Sequence, residues 1–267
     1  MVTTEPEQQS GLALVTGASS GIGRSLAAEL ARRGYDLLVV ADDDAIRDAA
    51  TTLEAEGRAV TPVQADLSTD AGVEAVHRAL SDAGRPVVLA ALNAGVGVGG
   101  PFAETDLADD LRLVGLNVRS TVHLAKLLVR DMLRHGEGRL LFTSSIAATM
   151  PGPGYATYAA SKAFVQSFAE ALRHELDGSG VTVTALMPGP TDTEFFERAD
   201  LVDTRVGQGP KDDPDEVARD GIDALLAGKD HVVAGSVRNT VMAHASRAMP
   251  ETTRAAVHAQ MTRSEDQ

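Results

Sequence analysis

The stretch Leu12-Ala13-Leu14-Val15-Thr16-Gly17-Ala18-Ser19-Ser20-Gly21-Ile22-Gly23-Arg24 constrains this chain more than any other. Leu12 to Val15 is an apolar run of the length of one buried strand. A turn of small residues follows, and then Ile22, Leu26 and Leu30 fall at helical spacing. Strand, glycine-rich turn and helix, in that order, form the setting in which a glycine motif binds a dinucleotide. Gly17 permits a sharp turn. Gly21 lets the backbone approach a pyrophosphate, and Gly23 lets the helix pack closely on the strand. The free N–H groups at the helix start then face the anion. Thr16, Ser19, Ser20 and Ile22 complete the candidate cradle.

The rest of the chain repeats the alternation. Further strands are expected at about Leu37–Ala41, Arg58–Val63, Val87–Leu92, Arg139–Thr143, Val181–Leu186 and His231–Ala234. Helical patterns lie between them, the longest at about Leu107–His135 and Tyr155–Leu176. The pattern predicts an α/β fold: a doubly wound, Rossmann-like parallel sheet of about seven strands with helices on both faces. No repeat or linker divides it, so residues 12–267 read as a single domain behind a flexible polar tail, residues 1–11. In such a sheet the ligand sits beyond the strand C-termini. The residues at those ends are Gly17, Asp42, Asp66 with Leu67, Asn93-Ala94-Gly95, Ser145 and Pro188-Gly189.

Bulk properties remove several function classes. Aromatic residues make up 3% of the chain against 43% hydrophobic residues, so the core must be aliphatic. A net charge of −14 argues against nucleic acid and anionic membrane surfaces as partners. There is no cysteine, which excludes disulfides and thiolate metal sites, and no metal is expected. The first eleven residues lack an apolar signal region and no apolar run reaches membrane-spanning length, so the expected location is cytoplasmic.

Tyr158 and Lys162 stand four apart in a helical pattern, on one face. An ammonium beside a phenol favours the ionised form and is expected to lower its pKa from about 10, giving a general acid/base. Ser145 lies at a strand end, where a hydroxyl can meet a carbonyl oxygen. Asn117 lies inside the long helix between Leu116 and Val118, an unfavourable place for an amide without a partner.

Thr16-Gly17-x-x-x-Gly21-x-Gly23, Asn93-Ala94-Gly95, Asn117, Ser145, Tyr158-x-x-x-Lys162 and Pro188-Gly189 together resemble the short-chain dehydrogenase/reductase family over about residues 12–235. The resemblance implies an oxidoreductase that interconverts an alcohol and a carbonyl with a nicotinamide cofactor. It makes Tyr158 the proton donor or acceptor and Ser145 the group that polarises the carbonyl. Lys162 binds the nicotinamide ribose and depresses the Tyr158 pKa, and Asn117 holds a water in the proton relay. Asp66 sits beside the adenine, with Thr191 and Thr193 near the nicotinamide end. Residues 191–214, with Phe195 and Phe196, become a substrate lid, and residues 240–262 a helical extension. Val96, Val98, Met150, Tyr155, Phe195 and Phe196 suggest an apolar substrate. The family also implies a homodimer or homotetramer. A non-catalytic dinucleotide sensor with the same fold is the alternative, and intact Asn117, Ser145, Tyr158 and Lys162 favour the enzyme.

Cofactor choice turns on the end of the second strand, Ala41-Asp42-Asp43-Asp44. A carboxylate there accepts from a ribose 2′-hydroxyl and repels a 2′-phosphate. No Arg or Lys follows before Arg47, which favours NAD, with NADP possible. Family members that prefer NAD usually carry their Asp where this chain has Ala41, and Asp42 stands where NADP users often have Arg. The three Asp also suit a helix start.

Overall fold

Seven apolar segments become the seven parallel strands of one sheet, in the order β3-β2-β1-β4-β5-β6-β7. They are β1 (Leu12–Thr16), β2 (Asp36–Ala41), β3 (Val60–Gln64), β4 (Val87–Leu92), β5 (Gly138–Thr143), β6 (Val181–Pro188) and β7 (His231–Ala234). The computed structural model describes residues 11–248 and residue 259. The expected tail, apart from Gly11, and the extension beyond Ala248 lie outside the described residues.

Alternation along each central strand divides the core in two. Leu12, Leu14, Leu38, Val40, Ala90, Leu92, Leu140 and Phe142 face one side. There they meet α3 (Asp70–Asp82), α5 (Ser120–His135) and α6 (Ala156–Glu175). Ala13, Val15, Leu37, Val39, Leu89, Ala91 and Leu141 face the other. That side is covered by α1 (Gly21–Arg32), α2 (Ala45–Glu54) and α9 (Pro214–Leu226). A doubly covered sheet needs apolar residues on both faces, which is why β1 reads as an unbroken apolar run. Phe142 is fully buried and meets Phe168 edge-on at 5.8 Å. Phe142→Ala is expected to cost about 3–5 kcal/mol. Denaturant unfolding measures it, and a loss below about 1 kcal/mol would contradict this packing.

The edges depart from the sequence reading. β3 begins at Val60 rather than Arg58. The Arg58 guanidinium instead pairs with Asp36 at 2.9 Å. β3 is an edge strand exposed at Thr61, Pro62 and Gln64, a place that tolerates Pro62. β6 runs past Leu186 because Met187 and Pro188 still pair with Val233 and Ala234 of β7. The long helical stretch is unbroken along the chain but changes type: α4 (Leu107–Val114), one π turn (Gly115–Arg119), then α5. A Cβ on Gly115 would lie 3.1 Å from the Ser68 carbonyl oxygen, so the π turn sits where the helix is pressed against the β3–α3 loop.

Candidate active site

The turn after β1 is built as the glycines require. Gly17 and Gly21 have φ of +67° and +52°, a region costly for other residues. A Cβ on Gly23 would fall 1.9 Å from the Gly17 carbonyl oxygen. Thr16 is buried beneath the turn. Its hydroxyl accepts from the Asn93 and Ala94 N–H groups at 2.9 and 3.0 Å. The Asn93 amide donates to the Thr16 carbonyl and accepts from the Thr143 hydroxyl, so the ends of β1, β4 and β5 are tied together. Thr16 therefore supports the cradle from below and does not line the cleft.

One cleft runs along these strand ends, lined from Gly17, Ser19, Ser20, Gly21, Ile22 and Gly23 through Asn93, Ala94 and Gly95 to Ser145, Tyr158 and Lys162. Asp42, Asp66 and Leu67 line one end, and Pro188, Gly189, Thr191 and Thr193 the other side. Ser20 caps α1 with no side-chain hydrogen bond, and the first turn holds no acidic residue. The α1 N–H groups are thus left for an anion, and the Gly17–Gly23 cradle leaves room for a pyrophosphate. These residues fit a dinucleotide.

Charge at the end of the cleft lined by Asp42 and Asp66 is arranged differently from the sequence reading. Asp42 faces a cation after all. Arg112 of α4 donates to Asp42 at 2.7 Å and to Asp66 at 3.2 Å. Asp43 accepts from the Ser19 hydroxyl through Oδ2 at 3.1 Å, while its buried Oδ1 has no hydrogen-bond partner among the described residues. Arg112 escaped the sequence reading, and Asp43 entered it only as part of the acidic run after the second strand. Arg112 carries no motif, and only the fold brings α4 across to the ends of β2 and β3.

Tyr158 reaches the cleft from α6, with its phenol hydrogen-bonded to the Ser145 hydroxyl. Burial pushes the phenol up to about 12, and that hydrogen bond only partly opposes it. This corrects the expected lowering: dehydration of the ionised form outweighs the nearby ammonium, which lies 5.8 Å from the ring centre. Burial also pulls Lys162 down to about 8. The Lys162 ammonium donates to the Thr143 carbonyl oxygen at 2.8 Å, so β5 fixes its position. Ser145 Oγ also accepts from the Ala147 N–H at 3.1 Å, and Ser144 donates to the Lys162 carbonyl oxygen.

Asn117 sits in the π turn and lies outside the cleft lining. Its Oδ1 accepts from the Val96 N–H at 3.0 Å, and its Nδ2 donates to the Val96 carbonyl and the Ser161 hydroxyl. Both amide hydrogens are committed to protein, so the side chain holds the β4 loop against α6. Of the substrate candidates, Val96, Met150, Tyr155, Phe195 and Phe196 line the cleft and Val98 does not. The expected polar loop carries two short helices, α7 (Phe195–Arg198) and α8 (Arg205–Gln208). Phe196, Ala199 and Leu201 form a small core of their own, and Phe195 tilts against the Tyr158 ring at 5.1 Å. Ile146, Ala147, Leu201, Val206 and Met242 extend the apolar wall beyond the sequence reading. Met242 belongs to α10 (Val237–Ala248).

A family model described as short chain dehydrogenase matches residues 11–201. The chain is 38% identical over 193 residues to a 1-deoxy-11-beta-hydroxypentalenate dehydrogenase of Streptomyces exfoliatus, covering 71% of this chain and 70% of that one. Among solved structures it is similar to a short-chain dehydrogenase from Sphingobium yanoikuyae in complex with NADPH. That match has a TM-score of 0.78 and 32% identity over 84% of this chain and 87% of the other. A short-chain dehydrogenase/reductase from Burkholderia phymatum in complex with NAD matches with a TM-score of 0.77 and 27% identity, over 88% and 91% of the two chains. These names give no support to a non-catalytic sensor. The chain belongs to the short-chain dehydrogenase family and is a hydride-transferring oxidoreductase of alcohols and carbonyl compounds that takes NAD or NADP.

Proposed function

We propose that the chain interconverts an apolar, bulky secondary alcohol and its ketone, with Tyr158 as the acid/base and NAD as the preferred cofactor. The observation that carries the reading is the Ser145–Tyr158–Lys162 group set against an apolar wall. The dinucleotide, when bound, supplies or accepts the hydride. The protein handles the proton. A substrate oxygen placed between the Ser145 and Tyr158 hydroxyls takes a hydrogen bond from each. A phenol with its pKa pushed to about 12 is held protonated at neutral pH and is ready as the acid of carbonyl reduction. Lys162, charged below about 8, stabilises the tyrosinate that proton donation leaves. The Phe195 ring packs against the Tyr158 ring, with centroids 5.1 Å apart, and forms part of the apolar wall beside it. Residues 191–214 act as a lid over this pocket.

A panel of ketones and alcohols, followed by the absorbance of reduced nicotinamide, tests the substrate class. Bulky apolar ketones are expected to give the highest kcat/KM, and a preference for small charged carbonyl compounds would contradict the reading.

The Asp43 carboxylate, which lines the cleft beside Asp42, supports NAD, because a 2′-phosphate would meet it as a like charge. The wild-type enzyme is expected to have the higher kcat/KM with NAD, and Asp42→Arg to move the preference toward NADP. Equal or better efficiency with NADP in the wild type would contradict this. Exposed Phe102, Leu107, Leu111, Val114 and Phe164 on and beside α4 and α6 support pairing with a second copy, as a homodimer or homotetramer. Light scattering at micromolar concentration tests it, and a monomer would refute it. Among the described residues no helix is long and apolar enough to cross a membrane.

A further inference from the structure

Three elements that are distant in sequence meet at the adenosine end of the cleft. Asp42 follows β2, Asp66 follows β3, and Arg112 reaches them from α4. Both carboxylates line the cleft. The guanidinium spends one nitrogen on each, at 2.7 and 3.2 Å. All three side chains are 40–50% exposed, so the network is reachable by a ligand and can rearrange. Burial raises the Asp66 carboxyl, but hydrogen bonds from Ser68 together with Arg112 hold it below the usual carboxylate range, so it stays charged.

Without Arg112 this end would present Asp42, Asp43 and Asp66 as three carboxylates with no counter-charge from the pair network. A 2′-phosphate would then be repelled by all of them. Arg112 changes that in two ways. It offsets one of the two negative charges of Asp42 and Asp66, and it holds five N–H donors in a planar fork that suits a phosphate as well as a carboxylate. The nucleotide phosphate and the Asp42 carboxylate therefore compete for the same cation.

We infer that Arg112 is the residue that sets how far this cleft discriminates NADP from NAD: paired to Asp42 it permits NAD, and released from Asp42 it binds a 2′-phosphate. The inference rests on the proposed dinucleotide site and deepens its cofactor choice. It explains how a cleft with an acidic strand end can still admit NADP. It also identifies Asp42 as the brake, acting through Arg112 rather than through the ribose.

Isothermal titration of NADH and NADPH into wild type, Arg112→Ala, Asp42→Asn and the double variant tests it without turnover. Arg112→Ala is expected to weaken NADPH binding at least about fivefold while NADH changes by less than about twofold, since only the phosphate gains from the guanidinium. Asp42→Asn is expected to tighten NADPH at least about fivefold, and most of that gain should vanish in the Arg112→Ala background. Equal effects of Arg112→Ala on both nucleotides would overturn the inference, as would no effect on either. So would an Asp42→Asn gain that is independent of Arg112. A wild-type enzyme that binds NADPH more tightly than NADH would sink the proposed NAD preference alone, because the Arg112 role is read from the coupling between the two substitutions.

Discussion

Tyr158→Phe is expected to lower kcat at least about a hundredfold, the usual worth of a positioned acid/base, and to leave dinucleotide affinity within about twofold. The substitution removes one oxygen. The ring stays wedged between Tyr155 and Phe195, with centroids at 5.8 and 5.1 Å, so the pocket keeps its shape. The loss is specific to the proton. In reduction the substrate oxygen would have only the Ser145 hydroxyl as donor, and an aliphatic hydroxyl is a far weaker acid than a phenol. Steady-state kinetics with parallel calorimetry separate the two effects. A variant that retains near wild-type turnover would remove Tyr158 from the chemistry, and one that loses nucleotide binding equally would make its role architectural.

Lys162→Met is expected to do two opposite things: lower activity at least about a hundredfold, with weaker nucleotide binding, and raise stability near neutral pH. Lys162 is 6% exposed, and burial draws its pKa to about 8 from about 10.4 in an unfolded chain. The folded state therefore binds the Lys162 proton less tightly than the unfolded state. That penalty is fully present below about pH 8 and fades as pH rises through about 10.4, so wild-type stability gains from this group over that window. Methionine removes the penalty but strands the Thr143 carbonyl oxygen, which costs about 1 kcal/mol. The net gain at pH 7 is expected to be about 1–2 kcal/mol, and to disappear by about pH 10.5. Denaturation midpoints at both pH values measure it. A variant destabilised at pH 7 would show that the charged lysine is a structural asset rather than a cost borne for function.

What was legible in the sequence follows from the range of the interactions involved. The central strands are buried on both faces, so β1, β2, β4 and β5 announce themselves as apolar runs whatever lies around them. The glycine turn is legible because its steric demand is local: Gly23 is squeezed by Gly17, six residues away. Tyr158 and Lys162 are legible because one helical turn puts them on one face. The failures are long-range. Arg112 meets Asp42 across 70 residues of chain, and nothing near either one signals the other. The π turn around Asn117 depends on how Gly115 abuts the Ser68 carbonyl. The Tyr158 pKa went in the wrong direction because a sequence shows the neighbouring charge but not the burial that outweighs it. The lid residues read as a polar loop because α7 and α8 are four residues each, too short for a periodic signal.

The most direct measurement of the central claim follows the hydride itself. Reduced cofactor carrying deuterium at the transferred position of C4 is incubated with the wild-type enzyme and the best ketone of the substrate panel, and the alcohol is analysed by mass spectrometry and NMR. The expected result is one deuterium on the carbinol carbon and none on oxygen, with product formation collapsing in Tyr158→Phe. Nucleotide binding without any deuterated alcohol, across the whole panel, would contradict the account.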